Sequence, residues 1–295
     1  MTDKELFTLV GIRPEAPAPE KKVRRLTGFP WISVIVMAVI LLCCVFAELI
    51  MTKDPGYLDL KNFNVAPNAE FLFGTDTLGR DIFSGIWYGG QISIMIGFLA
   101  TVISTFIAVV YGSISGIAPP WLDTLMMRFT EVFLSVPGLL LVLFLQAILG
   151  KANVLTLAIV IGVTSWAGIA KVIRTEVRQI RNSEYVIASR CMGGRFFHIL
   201  SKHLAPNFIA SIMFMVVMNV RGAIGSESTL SFMGMGLPLE IISWGSMLSL
   251  AEKAMLTDSW WIILIPGAFL VTLLMCLTNV GNYLRKTVNR KESNL

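Results

Sequence analysis

The sequence predicts an all-α, polytopic membrane protein with six transmembrane helices, and three observations carry that prediction. Of 295 residues, 55% are apolar and only 15% are charged, well outside the makeup of ordinary soluble domains. Six apolar stretches approach or exceed the roughly 20 residues needed to cross a hydrocarbon layer about 30 Å thick. Lys and Arg are divided very unequally between the segments that connect those stretches. None of the six alternates like a barrel strand, so backbone hydrogen-bond satisfaction in lipid makes them helices.

Residues 1–30 are expected to form a cytoplasmic arm, because Pro14, Pro17 and Pro19 among Ala and Glu give a composition that buries no core. The apolar run that follows, Trp31–Met51, is long for a signal-peptide core of about 7–15 residues and is preceded by a polar arm, so it is expected to stay as a signal anchor. An extracytoplasmic loop, 52–87, comes next and ends in a dense run of turn formers and caps from Gly74 to Asp81. Residues 88–284 then form a five-helix core with spans Tyr88–Gly112, Leu122–Leu149, Val154–Ala170, Phe208–Leu230 and Trp260–Leu284. A cytoplasmic loop, 171–207, interrupts that core, and 285–295 form a cytoplasmic tail. No internal repeat is visible, which disfavours a carrier made of inverted halves.

Seventeen of the 24 Lys and Arg residues lie in the arm, in loop 171–207 and in the tail; five lie in the alternate connections, and Arg128 and Arg221 fall inside helices. Both termini are therefore cytoplasmic by the positive-inside rule. The net charge of +5 reflects this asymmetry and gives no sign of nucleic-acid binding, since no basic patch is interleaved with exposed aromatics. Cys43, Cys44, Cys191 and Cys276 occupy predicted spans or the cytoplasmic loop, where disulfides are disfavoured.

Within the cytoplasmic loop, Asn182 or Ser183 is placed to cap a helix whose first turn holds Glu184 at the positive end of the dipole. Helical spacing puts Tyr185, Ala188, Ser189 and Met192 on one face. Gly193 and Gly194 permit the left-handed conformation that ends a helix. Phe197, Leu200 and Leu204 stripe a second helix until Pro206 turns the chain. On these features alone an interfacial amphipathic hairpin touching anionic lipid is the simpler account. A rigid knob fitting a groove on a cytoplasmic partner is the other.

Three segments bear on that choice. The spacing of Ala188, Gly193 and Pro206 resembles the cytoplasmic loop of ABC-importer permeases, which in that family docks into a cleft of the ATP-hydrolysing subunit. Ile187 and Ser189 stand where the family usually has Glu and Ala, and Ala205 where Leu is common, which leaves Glu184 or Arg190 as the source of a charged contact. Phe73 to Asp81 followed by Tyr88-Gly89-Gly90-Gln91-Ile92-Ser93 is similar to the outer-loop signature of the second, C-type permease of dipeptide and oligopeptide importers. Glu227 to Gly236 followed by Ser243-Trp244-Gly245-Ser246-Met247-Leu248 resembles the same family near its fifth span.

The resemblance implies a type I importer fold, with one extra N-terminal helix before a five-helix core. It implies a permease subunit that moves di- or oligopeptides into a prokaryotic cell across the plasma membrane. Its implied partners are a homologous second permease, two ATP-binding subunits of one or two kinds, an extracytoplasmic substrate-binding protein and membrane lipid. ATP and Mg would sit on the partners, because this chain carries no Gly-Lys-Ser/Thr phosphate loop and is expected to bind no cofactor and catalyse no hydrolysis. The coupling loop would use Glu184, Tyr185, Ala188, Arg190, Gly193, Gly194, Phe197 and Pro206. The same machine carrying nickel, a metal chelate or glutathione is the alternative cargo. A stand-alone secondary carrier and a membrane scaffold are the alternatives of other classes.

Arg221 sits mid-span, where a charge costs about 2.5–3.5 kcal/mol, so it is expected to face water or protein. It either lines the translocation path with Glu227 or locks its helix to a neighbour. Asp76 and Asp81 lack the roughly 6–8 oxygen ligands of a calcium site and are expected to cap the helix entering the second span. Arg128 and Glu131 are expected to serve packing and snorkelling. His198 and His203 have no acidic or Cys partner at metal spacing.

Overall fold

The computed structural model describes residues 28–59, 61–150, 152–181, 183–193, 205–250, 254–255 and 257–292. Side chains at 185, 188, 190, 205–207, 210 and 288–292 lie outside the description. Trp31–Leu295 form one compact unit, distinct from residues 1–30. Asn182, Gly194, Phe197, His198, His203 and nearly all of the N-terminal arm therefore fall outside the described residues, as do the side chains of Tyr185, Ala188, Arg190 and Pro206.

Among the described residues the fold is helical: α1 (Trp31–Val45), α2 (Ala47–Ile50), α3 (Ile82–Ile117), α4 (Pro120–Ser135), α5 (Gly138–Leu149), α6 (Val154–Thr164), α7 (Ala167–Ile180), α8 (Glu184–Cys191), α9 (Ala205–Phe232), α10 (Trp244–Leu248) and α11 (Trp261–Glu292). The one β feature described is an isolated bridge between Thr75 and Asp81. Helices α3 and α11 are long and apolar enough to cross a membrane, and two bent pairs, α4 with α5 and α6 with α7, raise the number to four if each pair is one span. Helix length alone thus does not establish the predicted count of six.

Several predicted boundaries change, each for a local reason. The second span is longer at both ends. It begins at Ile82, where Asp81 caps it by accepting from Ser84 N, and it ends before Pro119-Pro120. The third span, predicted as one stretch, is broken by an 89° bend between α4 and α5. Pro137 cannot donate a backbone hydrogen bond and pushes Val136 to extended geometry (φ −85°, ψ 129°). The fourth bends by 46° between α6 and α7. Its second half runs on to Ile180 instead of stopping at Ala170. The predicted tail is helical through Glu292. Gly234, at φ +75°, ends α9 with Met235 N bonded to Leu230 O, as expected of a left-handed C-cap.

Helix α3 is the axis of the unit. Its buried face is a run of small residues, including Gly89, Gly90, Ser93, Gly97, Ala100, Ser104, Ala108, Gly112 and Gly116. Small side chains let backbones approach closely, the main route to helix association where lipid is as apolar as the protein. A Cβ at Gly97 would lie 2.5 Å from Ile224 Cγ1 on α9, and one at Gly112 would lie 2.6 Å from the carbonyl oxygen of Ala170 on α7. Three apolar clusters fill the spaces around this axis. Large apolar side chains such as Ile32, Leu42, Phe98, Phe106, Phe144 and Met275 are exposed on the outside, an arrangement suited to a lipid surround.

Gly112→Val should therefore destabilise the unit by about 1–3 kcal/mol through overpacking against backbone. Gly168→Ala, at an exposed position of α7 with no atom within 4 Å of its Cβ, should change the melting temperature little. Thermal unfolding of the two variants in detergent checks both outcomes.

Candidate translocation and coupling surfaces

At one end of α3 the loop 52–81 and the segment 233–250 form a cap. Asp76 and Arg80 are both buried and pair through Arg80 Nε and Asp76 Oδ2 at 2.7 Å. Asp76 Oδ1 also accepts from Leu78 N and Arg80 N. Arg80 Nη1 reaches across to donate to Leu239 O at 2.9 Å, and Trp261 Nε1 donates to Thr75 O at 3.1 Å. Asp81 Oδ2 accepts from Ser84 N and Ser84 Oγ and from Thr52 Oγ1. The two aspartates thus have separate structural duties, an ion pair and a helix cap. On the loop surface, Asn62 Nδ2 and Lys61 N beside Asp59 hold its carboxyl below the usual carboxylate range.

The core of the cap is Glu227, predicted to line a path and found instead wholly enclosed. It sits on the inner face of α9, between α3 and α10, and does not face an opening. Its Oε1 accepts from Ser231 Oγ at 3.0 Å and Ser243 Oγ at 2.7 Å. Its Oε2 accepts from Ser93 Oγ at 3.0 Å and Ser228 Oγ at 3.3 Å. Three of these hydroxyls are themselves acceptors: Ser231 Oγ from Leu237 N, Ser93 Oγ from Trp244 N, and Ser243 Oγ from Ser246 N. A hydroxyl carries one proton, so each of the three directs its own in a hydrogen bond to Glu227. Backbone amides from segment 237–246 are in this way tied through serines to one carboxylate. Trp244 Nε1, donating to Ile86 O at 2.8 Å, adds a fourth tie.

Arg221 lies on the opposite side of α9, exposed beside Gly222 and near Gly225 and Thr229. A Cβ at Gly222 or Gly225 would meet nothing within 4 Å. None of the ion pairs among the described residues involves Arg221. One turn away, Ser165, Gly168, Ile169, Phe214, Met215, Met218 and Asn219 line an open concavity of about 290 Å³. Asn219 Nδ2 donates to Ser104 Oγ there at 2.5 Å. Arg221 and Glu227 are thus not brought together. Arg128 and Glu131 pair with each other at 3.0 Å on an exposed face of α4.

At the other end of α3, the short helix α8 begins at Glu184 as predicted, and Gly193 takes φ +82° just after it. Among its described side chains Val186 and Ser189 are buried, Val186 packing with Ile173, Val177, Phe208 and Ile212. Glu184, Ile187, Cys191 and Met192 are exposed. Met192 therefore does not share the buried face of Ser189. Ser183 Oγ donates to Ile180 O instead of capping α8. All four cysteines are free.

Sequence reasoning missed Asp123. Its carboxylate, 6% exposed, accepts from Arg174 Nε and Nη2 at 2.5 Å each, from Arg178 Nη1 at 3.0 Å and from Ser115 Oγ at 2.7 Å. Arg181 Nη1 donates to Gly116 O at 3.1 Å. A signal existed: an acidic residue just after Pro119-Pro120, and arginines at i, i+4 and i+7 on an amphipathic helix. Treated as a membrane-side count, the arginines hid their common partner.

A family profile described as binding-protein-dependent transport system inner membrane component matches residues 108–290. The oligopeptide transport system permease protein OppC of Bacillus subtilis (strain 168) is 36% identical over 260 residues, 88% of this chain and 85% of that one. The dipeptide transport system permease protein DppC of the same organism is 38% identical over 229 residues, 77% of this chain and 71% of that one. Among solved structures, a chain of the inward-facing MetNI methionine ABC transporter aligns with a TM-score of 0.53 at 16% identity, covering 69% of this chain and 96% of its own. That last likeness is one of fold. The chain belongs to the binding-protein-dependent transport system inner membrane component family.

Glu227→Ala should leave four buried serine hydroxyls without an acceptor, at about 1–3 kcal/mol for each. Glu227→Gln keeps the shape but offers an amide donor to hydroxyl protons, so at least one serine must turn and release its backbone amide. Both variants should melt lower than the unaltered protein, and hydrogen exchange at Trp244 and Ser246 should accelerate in both.

Proposed function

We propose that this inner membrane component is the second, C-type permease subunit of an ATP-driven importer that carries di- or oligopeptides into a prokaryotic cell by alternating access. The observation that carries the reading is that similarity extends over most of this chain and most of two proteins named as oligopeptide and dipeptide permeases. The chain spans the membrane six times with both termini cytoplasmic, α4–α5 and α6–α7 each making one bent crossing. It pairs with a homologous permease, receives peptide from an extracytoplasmic binding protein and depends on two ATP-binding subunits for hydrolysis.

The exposed face of α8, with Glu184, Ile187 and Cys191, meets the ATP-binding subunit. The exposed strip of α9 around Arg221 faces the sister permease across the path, where the guanidinium attracts the carboxylate of a passing peptide. Exposure without an acidic partner among the described residues supports that placement, since a lipid-facing Arg at mid-span would be costly. Glu227 serves the cap and takes no part in the path.

Uptake of a labelled peptide by cells with and without the gene, with the rest of the system intact, tests the function. Loss of peptide uptake is expected, and unchanged peptide uptake with loss of nickel or glutathione uptake would reassign the cargo. Arg221→Gln should lower peptide uptake by about tenfold or more with assembly retained, because a charge-assisted hydrogen bond contributes about 1.5–3 kcal/mol. Reporter fusions at the two ends of the chain should both read cytoplasmic.

A further inference from the structure

The clearest group outside these roles is the Asp123 cluster, and it lies at a mechanically telling place. Helix α3 ends at Ile117 and α4 starts at Pro120, so Asp123 sits one turn into α4 at a tight corner. Helix α7 runs past that corner and is followed, after three intervening residues, by Glu184 at the start of α8. Arg174, Arg178 and Arg181 are at i, i+4 and i+7, hence on one face of α7 and its C-cap. Two of them grip Asp123 and the third grips Gly116 O. Ser115, on the last turns of α3, shares the same carboxylate. Ile173 and Val177, on the flank of α7 next to that basic face, pack against Gly112 and Gly116 of α3, and Val186 of α8 is buried in the same apolar cluster.

One helix thus joins α8 and α3 through Ile173 and Val177 and grips the α3–α4 corner through its arginines. A bidentate Arg–carboxylate pair fixes direction as well as distance, because both partners are planar. A buried carboxylate deprived of its arginines is strongly disfavoured, so the contact breaks as a unit or not at all.

We propose that Asp123 is a positioning residue for energy coupling: by clamping α7 to the α3–α4 corner it makes that corner move with α8. The proposal rests on the reading of α8 as the docking helix for an ATP-binding subunit. Displacement of α8 then reaches α3 and through it the cap, and without the clamp α8 moves while the corner stays behind. Asp123 touches neither substrate nor nucleotide.

The test uses the complete importer, reconstituted in vesicles, with uptake per ATP hydrolysed as the readout. Asp123→Asn should assemble and keep basal ATP hydrolysis, while uptake per ATP falls by about tenfold. The reversed pair, Asp123→Arg with Arg174→Asp, should recover a substantial part of that ratio. An unchanged ratio in Asp123→Asn, or ATPase and uptake falling together so that the ratio holds, overturns the proposal. Should Asp123→Asn fail to assemble, Arg178→Gln at the half-exposed rim of the cluster must still lower the ratio, and a wild-type ratio there overturns it equally. If the unaltered assembly hydrolyses no ATP and moves no peptide, the functional reading fails first and in a distinguishable way.

Discussion

The carboxylate of Glu227 imposes the constraint on which much of this structure depends. A charge-bearing group wholly removed from solvent is tolerated only with full hydrogen-bond compensation. Here no basic side chain supplies it; hydroxyls from α3, α9 and the segment before α10 do. Each hydroxyl is in turn oriented by a backbone amide, so side-chain and main-chain requirements are met together or not at all. Gly245 follows from this closeness, since a Cβ there would fall 2.7 Å from Ser228 Cα and 2.8 Å from Glu227 Oε1. The glycine and the serines of these motifs are thus consequences of where one carboxylate lies.

Helix α3 connects that cap to a second polar cluster at its far end. Between them its small residues permit close approach of α6, α7 and α9. The cap end is fixed by Asp81, Ser84 and Ser93, the other end by Ser115 and Gly116. A 36-residue helix is thus held at both ends by buried polar contacts. The open strip of α9 with Arg221 lies beside it and outside both clusters.

The membrane class, the short helix from Glu184, the left-handed Gly193 and the capping by Asp81 were legible in the sequence because each depends on neighbours a few positions away. What was not legible depends on distance or on competition. Asp123 meets Arg174 from 51 positions off, and no local rule pairs them. Glu227 and Arg221 both read as intramembrane charges, and only tertiary packing sends one inward to serines and the other outward. The 89° bend at Val136-Pro137 follows directly from proline chemistry, yet a continuous apolar run masked it. On α8, helical periodicity grouped Tyr185, Ala188, Ser189 and Met192, but the position of α7 beneath the helix decided that Val186 would be buried.

The claim that joins these parts is that the exposed side of α8 is the surface through which an ATP-binding subunit acts. Cys191 is exposed there and free, while Cys43, Cys44 and Cys276 can be replaced by serine to leave it as the single thiol. Maleimide labelling of Cys191 in membranes, with and without co-expressed ATP-binding subunits, measures that surface directly. Strong protection on assembly, lost when the subunits are stripped from the membrane, is the expected result; equal labelling in both membranes would contradict it.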